Sequence, residues 1–210
     1  MTRRFSVSFL IVLFFTLGSE TALAQRSQRP RTIPQRTRRY YLDEPTTKLE
    51  EIQDRLEQAI YKGFLSIGTV SGRNGSAEVN AVELRSNTEP ARATGIAIQL
   101  AESAQPATEI QSFIDYEEID PLIRGLDLVA RVDDTTTRMP NFSASYRTRD
   151  DFGIVVFKQT RSGIAVKLEN SSLNGNAGID RATIYITLDE LNKLRGMILE
   201  AKQRIDQMKQ

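Results

Sequence analysis

The second half of this chain repeats its first, and that limits the architectures open to it more than any single residue does. Gly95-Ile96-Ala97-Ile98-Gln99-Leu100-Ala101-Glu102-Ser103 aligns with Gly163-Ile164-Ala165-Val166-Lys167-Leu168-Glu169-Asn170-Ser171 at an offset of 68. Phe113 to Leu122 aligns with Tyr185 to Leu194 at an offset of 72, so one loop differs by four residues. Neither copy is large enough for a sizeable core of its own, whereas two packed together are.

Each copy reads as four strands followed by a helix. In the first, Phe64–Gly72 and Ala77–Arg85 flank Arg73-Asn74-Gly75-Ser76, and Asn-Gly suits a two-residue hairpin turn because both central residues need positive φ. Over Thr94–Glu102, Ile96, Ile98 and Leu100 alternate with Ala97, Gln99 and Ala101, the period of a strand. Glu109–Asp115 is the fourth strand. The second copy offers Phe142–Arg149, Gly153–Thr160, Gly163–Glu169 and Ala182–Leu188, with turns at Asp150-Asp151 and Arg161-Ser162. Asp115-x-x-Glu118 and Thr187-x-x-Glu190 are matching capping-box patterns for the two helices. Ile119, Leu122, Ile123, Leu126, Val129 and Ala130 form one apolar stripe; Leu188, Leu191, Leu194, Ile198, Ala201 and Ile205 form the other. Pro121 lacks a backbone N–H, which predicts a short turn over 116–119 before the first main helix.

Ahead of the repeats, Thr47-x-x-Glu50 is a third capping box. Leu49, Ile52, Leu56, Ala59 and Ile60, spaced by three and four, predict a helix over 46–62. The pattern as a whole predicts an α+β fold, a tandem duplication of a four-antiparallel-strands-then-helix unit preceded by one extra amphipathic helix. Residues 44–210 are expected to form one domain, with repeat one over 63–132 and repeat two over 139–208. The stripe on 188–208 and the helix over 46–62 also offer faces for a homodimer.

The N-terminus reads as a signal peptide. Arg3 and Arg4 precede an apolar run from Phe5 to Leu17, and Ala22-Leu23-Ala24 is a cleavage pattern before Gln25. Export to the periplasm or outside the cell is expected, with an uncleaved membrane anchor as the alternative; the run is shorter than the ~20 residues of a membrane span. Residues 25–43 form an Arg/Pro-rich linker too polar to fold alone. Its six arginines, Arg26, Arg29, Arg31, Arg36, Arg38 and Arg39, fall between Gln25 and Arg39, where no acid stands, and are candidate contacts for an anionic envelope polymer or lipid. From Tyr40 onward there are 20 Lys and Arg against 26 Asp and Glu, so a basic tail precedes a body of net charge −6.

The chain has no histidine, no cysteine and no tryptophan. That excludes disulfides, thiol chemistry, histidine-based proton transfer and the usual zinc or copper ligand sets. No phosphate-binding glycine loop or nucleophile elbow is present. Asp115, Glu117, Glu118 and Asp120 lack calcium-loop spacing and read as acids attracted to a helix N-terminus. No catalytic residue, metal or cofactor is expected; a hydrolase using two carboxylates is the alternative within the enzyme class. The polar stretch Asn170–Gly178 reads as a loop, and Asn170, Asn174 and Asn176 are its candidate contact residues.

The doubled element order over 64–208 resembles the Whirly fold of single-stranded-DNA-binding proteins. It is also similar to the repeats of transcriptional cofactors of the positive-cofactor-four type and of PUR proteins. The resemblance implies a single-stranded nucleic acid as ligand. The Lys-Gly-Lys-Ala-Ala-Leu-Ser strand motif of Whirly proteins is missing, and an acidic body opposes a polyanion. The sequence therefore predicts an exported, non-catalytic interaction module whose partner is a protein. Nucleic-acid binding is the alternative.

Overall fold

The first hairpin turns within the stretch the sequence marks, but its two turn residues are Arg73 and Asn74, Gly75 already pairs with Gly72, and neither Asn74 nor Gly75 takes the positive φ expected of an Asn-Gly turn. The computed structural model describes residues 45–209 apart from 88–90, 105, 134, 159–162 and 175–177. Around that turn β1 (Ile60–Gly72) pairs with β2 (Gly75–Ser86). β3 (Arg92–Glu102) and β4 (Thr108–Asp115) complete an antiparallel sheet in the order β1-β2-β3-β4, and α2 (Tyr116–Ala130) follows. β5 (Phe142–Arg147), β6 (Gly153–Lys158), β7 (Ile164–Asn174) and β8 (Gly178–Ile186) repeat the pattern and lead into α3 (Leu188–Met208). A short α1 (Lys48–Gln53) precedes both sheets. The fold is α+β with a tandem duplication.

The two copies share one core. Ile96, Ile98 and Leu100 of the first sheet lie in the same buried cluster as Ile154, Leu168 and Ile184 of the second. Each fully buried Leu or Ile contributes ~1.5–3 kcal/mol. The helices are shared unequally: α3 packs mainly on β1, β2 and β3 of the other copy, whereas α2 lies against β3 and β4 of its own copy as well as β5 and β6 of the other. α2 and α3 run antiparallel along each other. Tyr116 donates to Asp206, Lys202 Nζ to Asp120 at 2.7 Å, and Arg195 grips Asp127 at 2.5 and 3.0 Å. Each step of four or seven along α2 is matched by the same step backward along α3, which keeps these pairs on one face of each helix. Gly125 lets α2 approach β5, since a Cβ there would lie 2.3 Å from the Tyr146 ring.

A smaller cluster covers the far face of the first sheet. There α1 buries Leu49 and Ile52 against Val82, Leu84, Ala93, Ala97 and Phe113. Alternation along β3 thus feeds two cores, with Ile96 and Ile98 on one side and Ala93 and Ala97 on the other.

Several expectations are corrected. The helix expected over 46–62 ends at Gln53, because Asp54 leaves helical geometry, Glu57 adopts φ 59°, and Ile60–Ser66 is drawn into pairing with Asn80–Ser86. Leu56, placed on its apolar stripe, is 85% exposed. β1 consequently begins four residues before Phe64. The loop expected over Asn170–Gly178 is mostly a strand pair, in which Asn170 faces Ala182 and Asn174 faces Gly178. Polar composition hid it, because ladder hydrogen bonds come from the backbone and not the side chains. α2 runs unbroken through Pro121 without a separate first turn; Ile119 and Leu122, both fully buried, hold it against the missing hydrogen bond. The repeat offset between β3 and β7 is 70 and not 68, since Ile114 pairs with Ile96 while Ile186, 72 residues on, pairs with Val166. A two-residue slip leaves every side chain on its expected face, so the sequence pattern could not reveal it.

Candidate interaction edge and the buried acidic corner

The contact residues expected from sequence do not form a site in the described part of the chain. Arg26, Arg29, Arg31, Arg36, Arg38 and Arg39 lie outside the described residues, as do the signal segment and Asn176. Asn170 is buried, and its Oδ1 accepts from the Ser171 N–H at 2.8 Å, so it serves the strand and not a ligand. Asn174 sits on the last backbone pair of β7. The apolar stripe of α3, offered above as a dimer face, is taken up by the chain's own core: Leu191, Leu194, Ile198, Ala201 and Ile205 are all buried.

The acids around the start of α2 go to four different partners. Glu117 pairs with Lys48, which holds its carboxyl below the usual range, and Asp120 pairs with Lys202. Glu118 is buried, which pushes its carboxyl up against the opposing pull of Arg149 at 3.5 Å. Asp115 makes no side-chain cap on α2. Its carboxylate instead accepts from Lys48 N at 2.9 Å and Leu49 N at 3.2 Å, capping α1 from across the fold. The expected capping box at 115–118 is therefore replaced by a long-range cap. Thr47 and Glu50 do form the complete box on α1, and Thr187 accepts from Glu190 N on α3. No group of three carboxylates among the described residues is arranged to hold a metal ion.

The two hairpin tips close the sheets reciprocally. Asn74, at the β1–β2 turn, accepts from Tyr185 N at 3.1 Å and donates to Thr183 O at 2.6 Å, both on the edge strand β8. Arg73 N adds a bond to Tyr185 O at 2.8 Å. Asp150, at the β5–β6 turn, accepts from Phe113 N at 2.6 Å, and its own carbonyl accepts from Ser112 Oγ at 3.1 Å, both on the edge strand β4. Phe113 and Tyr185 are counterparts in the sequence repeat. Each copy thus blocks the exposed edge of the other with one side chain, which removes a template for pairing with other chains. Asp150 is partly buried, and that burial, with the nearby Glu50 carboxylate, pushes it up to about 8. At neutral pH it carries a proton toward Glu50, while Glu50 accepts from Thr46 N and Thr47 N.

The outer edges β1 and β5 are left. β5 presents Ser143, Ser145 and Arg147 to solvent, a polar edge. β1 differs. A bulge at Ile67 shifts its register between Ser66 and Gly68. Beyond it Val70 enters the core, whereas Tyr61, Phe64 and Leu65 stand 62%, 71% and 45% exposed. Among the described residues no strand pairs with the outer side of β1. Nothing in the sequence signalled this, because a strand's position at an edge is decided by topology.

No protein-family model matches this chain, and no curated protein or solved structure matches it. No helix of the described residues is long and apolar enough to cross a membrane.

Proposed function

We propose that the protein is a non-catalytic interaction module that docks a protein partner along the free edge of β1, and that its arginine tail tethers it, after export, to an anionic envelope component. The observation that carries the reading is the run of exposed Tyr61, Phe64 and Leu65 on an unpaired strand. Such a strand offers backbone hydrogen bonds for affinity and side chains for selectivity, the basis of strand addition by a partner. Against the single-strand-binding alternative stand the acidic body and the use of its strand cations. Arg147 and Lys167 pair with Glu169, and Arg149 pairs with Glu118. The aromatics offer no open stacking row on the second sheet: Phe152 is buried and Phe157 packs edge-on to Tyr185.

Amide hydrogen exchange of those residues of Ile60–Ser66 whose N–H groups point away from β2, followed in the full chain, tests the docking edge. Fast exchange in dilute protein is expected. Protection that persists at every dilution means that the chain covers its own edge, and the reading fails. Binding of anionic vesicles and of single-stranded DNA across a salt series, with and without the six tail arginines replaced by Gln, tests the tether. Binding that survives the replacement overturns it.

A further inference from the structure

The exposed part of β1 is complementary to itself. Antiparallel pairing of two β1 strands about Gly63 sets Tyr61 opposite Leu65, Lys62 opposite Phe64 and Ile60 opposite Ser66, each twice. On one face this makes two aromatic–aliphatic pairs, which are stabilising across strands. On the other, the Lys62 stem lies beside an aromatic ring. Lys62 already uses that contact within the chain, its ammonium lying 5.4 Å from the Phe113 centroid. No like charges meet in this register. The position on the axis carries no side chain, a Cβ built there would touch nothing within 4 Å, and β1 is outermost in its sheet, so the faces of two strands meeting at Gly63 stay uncrowded. Each alternative edge lacks one of these properties. β4 and β8 are blocked by Asp150 and Asn74, and β5 exposes serine and arginine.

We infer that the occupant of the β1 edge is a second copy of this chain, paired antiparallel about Gly63 so that the two first sheets join into one continuous eight-stranded sheet. This rests on the reading of β1 as a docking edge and names its partner. The dimer would hide the only strongly apolar strand edge among the described residues, which explains how such an edge is tolerated.

The chain contains no cysteine, so one introduced thiol reports without background. In the full chain Gly63→Cys is expected to form an intermolecular disulfide on mild oxidation, because residues paired across antiparallel strands lie within disulfide reach. Thr69→Cys, exposed on the same strand, is expected to form none, since the two copies of Thr69 would lie about 40 Å apart. Sedimentation then separates self-pairing from other uses of the edge. Phe64→Lys places two cations opposite each other and is expected to weaken the dimer about tenfold or more, whereas Phe64→Glu faces Lys62 of the second copy and keeps it. A monomer at all concentrations, a disulfide at Thr69→Cys but not at Gly63→Cys, or equal loss in both Phe64 variants overturns the proposal. Fast exchange of the outward-pointing amides of Ile60–Ser66 at every concentration also overturns self-pairing while leaving the docking edge standing. Concentration-independent protection of those same outward amides overturns both.

Discussion

The two hairpin tips occupy equivalent places and do the same work with different chemistry. Asn74 satisfies an N–H and a carbonyl of β8 at once, because an amide both accepts and donates. Asp150 meets the N–H of Phe113 but is an acid in a buried corner beside Glu50, and it does its work while holding a proton. The first tip is indifferent to pH. The second depends on it, and α1, whose Glu50 it faces, shares that dependence. A duplicated fold therefore need not have duplicated responses: one substitution at a shared position makes one half of the molecule pH-sensitive.

The largest effect is expected where a tip touches the other sheet most closely. Gly72→Val would drive a Cβ to within 2.3 Å of Ile184 Cγ2 and 2.8 Å of Tyr185 O, backbone included. It should cost about 3 kcal/mol or more in a urea melt, lifting the first tip off β8. Next comes the pH response of the second tip. Because the folded state holds the Asp150 proton up to about 8, it binds more protons than the unfolded chain between the ordinary carboxylate range and that value. The stability this group contributes is therefore full at low pH and falls as pH rises toward 8, by about 5 kcal/mol at most. Asp150→Asn, which copies Asn74, should flatten this slope between pH 5 and pH 9; an unchanged slope would break the comparison. The reverse exchange, Asn74→Asp, loses the bonds to Thr183 O and Glu102 and sets two carboxylates together. It should destabilise by about 1–3 kcal/mol at pH 7 and by less at pH 4. Arg195→Ala, which breaks the α2–α3 pair with Asp127 away from both tips, should leave the urea midpoint nearly unchanged at any pH between 5 and 9, because solvent screens the pair.

Much of the fold was legible because the signals were local. The polar stretch Arg73–Ser76 marks a hairpin between two apolar runs, although Asn74-Gly75 does not take the positive φ that singled it out; Ile96-x-Ile98-x-Leu100 marks a strand by its period, and Thr47-x-x-Glu50 and Thr187 mark helix starts by the donors they satisfy. The errors have one cause. Leu56, Ala59 and Ile60 have helical spacing, yet Ile60 gains a ladder with β2 that a helix cannot supply. Asp115 looked like a cap for the helix that follows it and caps one that lies 67 residues earlier in the chain. Asn170, polar within a polar stretch, lies buried in a strand. In each case a distant element outbid the local preference. The candidate site was still less legible, since Tyr61, Phe64 and Leu65 read as ordinary strand residues until the sheet order left β1 outermost.

By itself the sequence determined the duplication, the strand and helix content of each copy, the acidic body behind an arginine-rich segment, and the absence of histidine and cysteine chemistry. These depend on residue identity and on periods of two and 3.6, which act over neighbouring residues. Only the tertiary structure decided that α3 crosses to the other copy's sheet while α2 lies against both, that Asn74 and Asp150 close opposite edges, and that β1 remains open. Those outcomes depend on which backbone groups and apolar faces are left unsatisfied once every local element has formed, and that is a property of the whole packing.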